Sequence, residues 1–111
     1  MSYIKIQIKP LSVNKVWQGR RFKTKAYILY ERELLLRLPR LKIPDGNLLF
    51  NLEVGFSNSN SDIDNICKPI LDILQKKYLF NDNRIYEARI KKVIVEKGKE
   101  YIKFELSQLP S

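Results

Sequence analysis

Residues 48–56 place a hydrophobic side chain at every second position, a pattern that strongly limits how this segment can fold. The hydrophobic positions are Leu48, Phe50, Leu52, Val54 and Phe56. Successive side chains of a strand point to opposite faces, so the pattern predicts a strand with one buried face. The rest of the chain must then supply neighbouring strands and a layer that covers this face.

Three further segments have strand patterns. Residues 3–8 alternate in the same way, and residues 88–96 and 101–106 flank a short run formed by Lys97, Gly98 and Lys99. Two strand segments joined by a short loop that contains glycine are typical of a hairpin. The sequence therefore predicts a first strand at residues 3–8 and a hairpin near the C-terminus.

Two segments between the strands have hydrophobic residues at the helical spacings of three and four. The first runs from Thr24, an expected N-cap, to about residue 38. The second ends near residue 78, and Asp64 or Asn65 is its expected N-cap. Because a proline beyond the first turn of a helix costs about 3 kcal/mol, Pro69 predicts that this helix begins near Asn65 or later, or bends.

The order of elements is therefore strand, helix, strand, helix, strand, strand. A chain of 111 residues suits one domain, which we expect to span residues 1–111. The predicted fold class is α+β, with two helices packed on one face of a mixed or largely antiparallel sheet.

The chain is strongly basic, with 21 Lys and Arg residues against 12 Asp and Glu residues and a net charge of +9. A small protein with this charge attracts polyanions, so nucleic acid is the expected partner. The segment from residue 10 to about 24 interleaves cations, which bind phosphates, with aromatic rings, which stack on unpaired bases. The predicted DNA-binding residues are Asn14, Lys15, Trp17, Arg20, Arg21, Lys23 and Lys25. The alternative is a solvated loop whose aromatic residues cap the core.

The chain has no histidine and one cysteine, Cys67. This composition excludes Ser-His and Cys-His nucleophile pairs, His-ligated metals and an intrachain disulfide. No hydrophobic run approaches the roughly 20 residues that span a bilayer. We expect a soluble, cytoplasmic protein without membrane contact, in which carboxylates and lysines carry any catalysis.

An acidic cluster stands out in this basic chain. Asp62 and Asp64 precede the second predicted helix, Lys68 follows four residues later, and Asp82 lies beyond the helix. If the segment that leads into the helix is extended, Asp62 and Asp64 point the same way. Carboxylates that converge from different segments imply a hard cation such as Mg2+, which could activate water and orient a phosphate. Lys68 could then neutralise charge that grows on the phosphate.

A purely structural interpretation also fits these residues. Asp62 and Asp64 are typical of a helix start, Lys68 could be solvated, and Asp82 is a turn former. Asp72 is expected to be an exposed partner for Lys68 or Lys76.

The run DIDNICKPILDIL followed by FND resembles the D-x-D-N-x-x-K motif and downstream Asp of the RusA-type Holliday junction resolvase family. Pro10, Ser12 and Asn14 are similar to the P-x-S-x-N stretch of the same family. The resemblance implies a homodimeric, Mg2+-dependent crossover junction endodeoxyribonuclease, with Mn2+ as a possible substitute, that acts in DNA recombination and repair. Such an enzyme nicks two opposed strands of a four-way DNA junction symmetrically.

By this resemblance the catalytic and metal-binding residues are Asp62, Asp64 and Asp82, and Lys68 is the catalytic lysine. A helix that ends near residue 78 would carry Asp82 away from Asp64 unless the following loop folds back, so Asp82 could come from the partner chain. A non-catalytic nucleic-acid-binding protein with the same fold is the alternative function. A structural or interaction subunit would leave the net charge of +9 unexplained.

Overall fold

The computed structural model describes residues 3–12, 17–18, 22–60 and 62–110, with the backbone alone at Trp17, Gln18 and Phe22. In chain order its strands and helices are β1 (Ile4–Ile6), β2 (Trp17–Gln18), β3 (Phe22–Lys23), α1 (Lys25–Arg37), β4 (Leu48–Phe56), α2 (Ile63–Tyr78), β5 (Ile85–Ile94) and β6 (Tyr101–Gln108). A turn of 3-10 helix, Asp82–Arg84, precedes β5. No helix within these described ranges is long and apolar enough to cross a bilayer.

Four strands form one mixed sheet in the order β1-β6-β4-β5. Strand β4 pairs in parallel with β5 and antiparallel with β6, which also pairs antiparallel with β1. The short strands β2 and β3 pair separately, within a segment that the sequence predicts as a loop. Two helices and a mixed four-stranded sheet confirm the predicted α+β class.

The predicted C-terminal hairpin is wrong, because β4 lies between β5 and β6. Helix α2 returns the chain to the starting end of β4, where β5 begins in parallel, as in other strand-helix-strand units. Residues 95–100 then pass the end of β4, where the Val95 N–H donates to the Phe56 carbonyl over 2.7 Å. A glycine turn predicts that the chain reverses, but it does not reveal that a third strand lies between the two arms.

Both helices cover the same face of the sheet. Strand β4 buries the alternating residues that the sequence predicts, and its partners contribute residues in register, such as Phe104 opposite Leu52. Helices α1 and α2 supply the facing layer of the core, which includes Tyr27, Tyr30, Leu34, Ile66, Ile70, Ile73 and Leu74. The opposite face of the sheet is not covered by either helix.

The N-cap of α1 is Thr24, as predicted, and its hydroxyl accepts a hydrogen bond from the Tyr27 N–H at 3.2 Å. Helix α2 is different: it begins at Ile63, after Asp62, so the predicted caps Asp64 and Asn65 are wrong.

The expectation that Pro69 limits the start of α2 is also wrong, because Pro69 lies buried inside the helix. A proline there removes one backbone hydrogen bond and costs about 3 kcal/mol. The same helix buries Ile66, Ile70, Ile73 and Leu74 in the core, and fully burying each such side chain stabilises by about 1.5–3 kcal/mol. Tertiary packing therefore outweighs the local preference.

Candidate active site

The chain enters α2 through the polar segment of residues 57–60, directly beyond the C-terminal end of β4. Asp62 occupies the N-cap position without a side-chain capping bond, and Asp64 lies in the first turn. Both are exposed. Carboxylates at this end of a helix are favoured by the helix dipole, so the local fold accepts two acids close together.

Asp62, Ile63 and Asp64 line a shallow depression of about 320 Å³ together with Lys92 of β5. The extended approach that the sequence predicts for both acids is wrong, because Asp64 already belongs to the helix. Asp62 precedes the helix with an extended backbone and Asp64 lies in the first turn, so the two acids do not share the face of one extended segment. They nevertheless border the same depression.

Lys68 does not line this depression. Its ammonium group lies 3.2 Å from Asp72 Oδ1, one turn further along α2, with both side chains largely exposed. This pairing is the one expected for Asp72. Lys76 instead contacts Glu31 of α1 at 2.9 Å.

Asp82 lies at the other end of α2. Its backbone N–H donates to Gln75 Oε1 at 2.8 Å, and it begins the 3-10 turn that leads into the start of β5. A helix of 16 residues is about 24 Å long, so the length of α2 separates this position from Asp64. Residues 79–81 do not fold back toward the first turn. Accordingly, the described part of the chain contains no group of three acidic or thiol residues that could hold a metal ion.

Two exposed carboxylates are a donor set that suits Mg2+, which proteins commonly hold through one or two carboxylates while waters and substrate phosphates complete its shell. Asp62 and Asp64 fit this pattern. Cys67 is a poor ligand, because burial, and then the charge of Asp64, raise the pKa of its thiol.

Lys92 is the residue of the depression that sequence reasoning missed. In β5 it lies opposite Val54, on the face covered by the helices. Its ammonium group donates to the Ser59 carbonyl at 2.7 Å and lies 5.5 Å from the centre of the Phe56 ring. The sequence does contain a signal for this residue. Lys92 lies on the same face of the strand as Ala88, Ile90 and Ile94, where a hydrophobic residue is expected.

Much of the predicted DNA-binding segment lies outside the described residues. Asn14, Lys15, Arg20 and Arg21 fall there, and Trp17 is described only as backbone in β2. Lys23 and Lys25 are exposed, and the Lys23 ammonium group lies 4.7 Å from the centre of the Tyr27 ring.

Comparison with known proteins assigns the chain to a family. The profile of the family Endodeoxyribonuclease RusA matches residues 20–105, which include Asp62, Asp64, Lys68 and Asp82. The stretch with Pro10, Ser12 and Asn14 precedes the match, so its resemblance remains a prediction. A search of curated proteins found no match. Because the profile covers most of the 111 residues and both helices, the chain belongs to the RusA family of endodeoxyribonucleases.

Proposed function

We propose that this protein is a Mg2+-dependent endonuclease that resolves four-way DNA junctions by nicking two opposed strands in recombination and repair. The observation that carries the proposal is the depression where Asp62 and Asp64 meet Lys92 at the start of α2, in a chain of an endodeoxyribonuclease family. Two carboxylates and a cation provide the groups that metal-assisted phosphodiester hydrolysis needs.

Asp62 and Asp64 would hold Mg2+, or Mn2+ in its place. When bound, this metal would supply activation of a water molecule and stabilisation of charge on the scissile phosphate. The two carboxylates would hold this metal at the start of α2, whose backbone N–H groups favour the negative charge of the phosphate. Lys68, one turn along the helix from Asp64 and paired with Asp72, would approach the phosphate when that exposed ion pair opens.

The third acid, Asp82, would come from a second copy of the chain. The support for this proposal is its position at the opposite end of α2, with its backbone bonded to Gln75. A two-fold homodimer also matches the symmetry of a junction that is cut at two related points. Each composite site would then combine Asp62 and Asp64 of one chain with Asp82 of its partner.

DNA binding would draw on the net charge of +9 and on the cations of residues 14–25. Phosphate contacts of this kind position a nucleic acid without reading its sequence. Selection of a branched substrate therefore rests on the arrangement of the two sites in the dimer.

The decisive experiment incubates the purified protein with an end-labelled synthetic four-way junction in Mg2+, Mn2+ or EDTA. We expect paired nicks in opposed strands with either metal and none in EDTA, while a linear duplex of the same sequence stays intact. Junction binding without nicking in either metal would instead support the non-catalytic nucleic-acid-binding protein. Cleavage of the duplex at the rate of the junction would contradict structure specificity.

A further inference from the structure

Lys92 is fixed in place by the register of the sheet. Strands β4 and β5 run in parallel, so their C-terminal ends lie side by side where the chain leaves β4 for α2. Lys92 pairs with Val54 and points toward the helices, whereas its neighbour Lys91 pairs with Glu53 and belongs to the other face. Adjacent lysines of one strand therefore have entirely different surroundings.

The Lys92 ammonium group is held at the entrance to α2. Its 2.7 Å hydrogen bond to the Ser59 carbonyl joins β5 to the polar segment that delivers the chain to Asp62. Asn58 shapes the same segment, since its side-chain oxygen accepts the Asn60 N–H at 3.0 Å. Lys92, held in this way, lines the same depression as Asp62 and Asp64.

Lys68 and Lys92 differ in their present contacts. Lys68 forms an ion pair with Asp72 at 3.2 Å, outside the depression. Lys92 instead donates to the neutral Ser59 carbonyl and lines the depression beside Asp62 and Asp64. A lysine ammonium group has three N–H donors, so a single group can contact a carbonyl and a phosphate oxygen at once.

We propose that Lys92 binds the phosphate of the DNA strand that lies at Asp62 and Asp64, and that its bond to Ser59 positions it there. This inference rests on the proposed nuclease function and deepens it. Lys92 would be the cation of the site that faces the scissile phosphate from the sheet, while Lys68 would approach from the helix. It would also prevent the two carboxylates from repelling the phosphate backbone.

The test compares Lys92→Ala, Lys92→Arg and, as the matched control, Lys91→Ala with the wild type. Junction affinity is measured in EDTA over a range of salt concentrations, and nicking is measured in Mg2+ in a single turnover. We expect Lys92→Ala to reduce the slope of log affinity against log salt by about 0.9 and to slow nicking by on the order of 100-fold. Lys92→Arg should recover most of the slope, and Lys91→Ala should leave the nicking rate unchanged.

The outcomes separate this inference from the function on which it rests. If the wild type nicks the junction and Lys92→Ala behaves like Lys91→Ala in both measurements, the role of Lys92 is overturned and the nuclease stands. If Lys92→Ala slows nicking but leaves the salt slope unaltered, phosphate binding by Lys92 is likewise rejected. A wild type that neither binds nor nicks the junction overturns both proposals. Thermal unfolding of each variant identifies any that do not fold, and Lys92→Gln then replaces Lys92→Ala.

Discussion

The backbone N–H of Asp82 donates a 2.8 Å hydrogen bond to the side-chain oxygen of Gln75, three residues before the end of α2. This contact fixes the third acid of the motif beside the last turns of the helix that begins at Asp62. The length of that helix, about 24 Å, then separates the two ends of the motif within one chain.

We predict that mixing Asp64→Asn and Asp82→Asn proteins restores nicking, although each alone is inactive. In a mixed dimer with composite sites, one site combines the intact Asp64 of one chain with the intact Asp82 of the other. The readout is nicking of a labelled junction after subunit exchange, which is verified with differently tagged chains. Exchange without any recovered nicking would show that each site is built within one chain.

Asp64→Asn should lower the single-turnover nicking rate by at least 100-fold while junction affinity stays equal or rises. The change keeps the shape of the side chain but removes a negative charge near the phosphates. Asp45→Asn is the matched control, because Asp45 is exposed in the turn before β4. Asn is itself a good residue at a helix start. If the role of Asp64 is purely structural, the variant should therefore nick the junction at nearly the wild-type rate.

Replacing Arg20, Arg21 and Lys23 with Ala should flatten the salt dependence of junction binding by up to about 2.7 in the log-log slope, since each phosphate contact contributes about 0.9. A control variant that removes the exposed cations Arg40, Lys42 and Lys97 changes the net charge equally. Equal slopes for the two triple variants would reject the segment of residues 14–25 as the specific DNA-binding surface.

Gly55→Ala should destabilise the fold by about 1–3 kcal/mol, in the range of other overpacked sites. A Cβ atom at Gly55 would lie 2.5 Å from Cε1 of the Tyr101 ring, which packs across the strand pair. Urea unfolding followed by circular dichroism measures the change. Adding Tyr101→Leu should recover part of the loss, and an unchanged unfolding midpoint for Gly55→Ala would contradict this packing.

Tyr101 should make stability fall at high pH. Burial, and then its 2.6 Å hydrogen bond to Glu53 and the charge of Glu53, raise the pKa of Tyr101 to about 12. The unfolded chain loses this proton near pH 10, so the folded state loses its advantage between pH 10 and 12. The difference in unfolding free energy between wild type and Tyr101→Phe should therefore shrink across that interval. A difference that stays constant with pH would show that the folded phenol ionises normally.

The sequence predicts much of this architecture because alternation is a local signal. The bounds of β4 are correct to the residue, since five buried side chains define both its period and its face. The hairpin prediction fails because strand order depends on contacts distant in sequence. Pro69 misleads for a similar reason: the core around it is assembled from several elements.

In the candidate site, too, the features set by local sequence are predictable and those set by distant contacts are not. Asp62 and Asp64 are only two residues apart in the sequence, so their proximity is predictable, although the start of the helix between them is not. Lys92 reaches the depression only through the parallel register of β4 with β5, and nothing near it in the sequence indicates that pairing.

The sheet order β1-β6-β4-β5 has a consequence for how the chain folds as it is made. Strand β6 is the last strand in the chain, yet it lies between β1 and β4 and pairs with both, as in the contacts of Phe104 with Ile4 and Leu52. Strand β1 therefore cannot pair with the sheet until β6 has been synthesised. The strand-helix-strand unit of β4, α2 and β5 is complete at Ile94, so the segments that carry Asp62 and Lys92 are synthesised before the strand that closes the sheet.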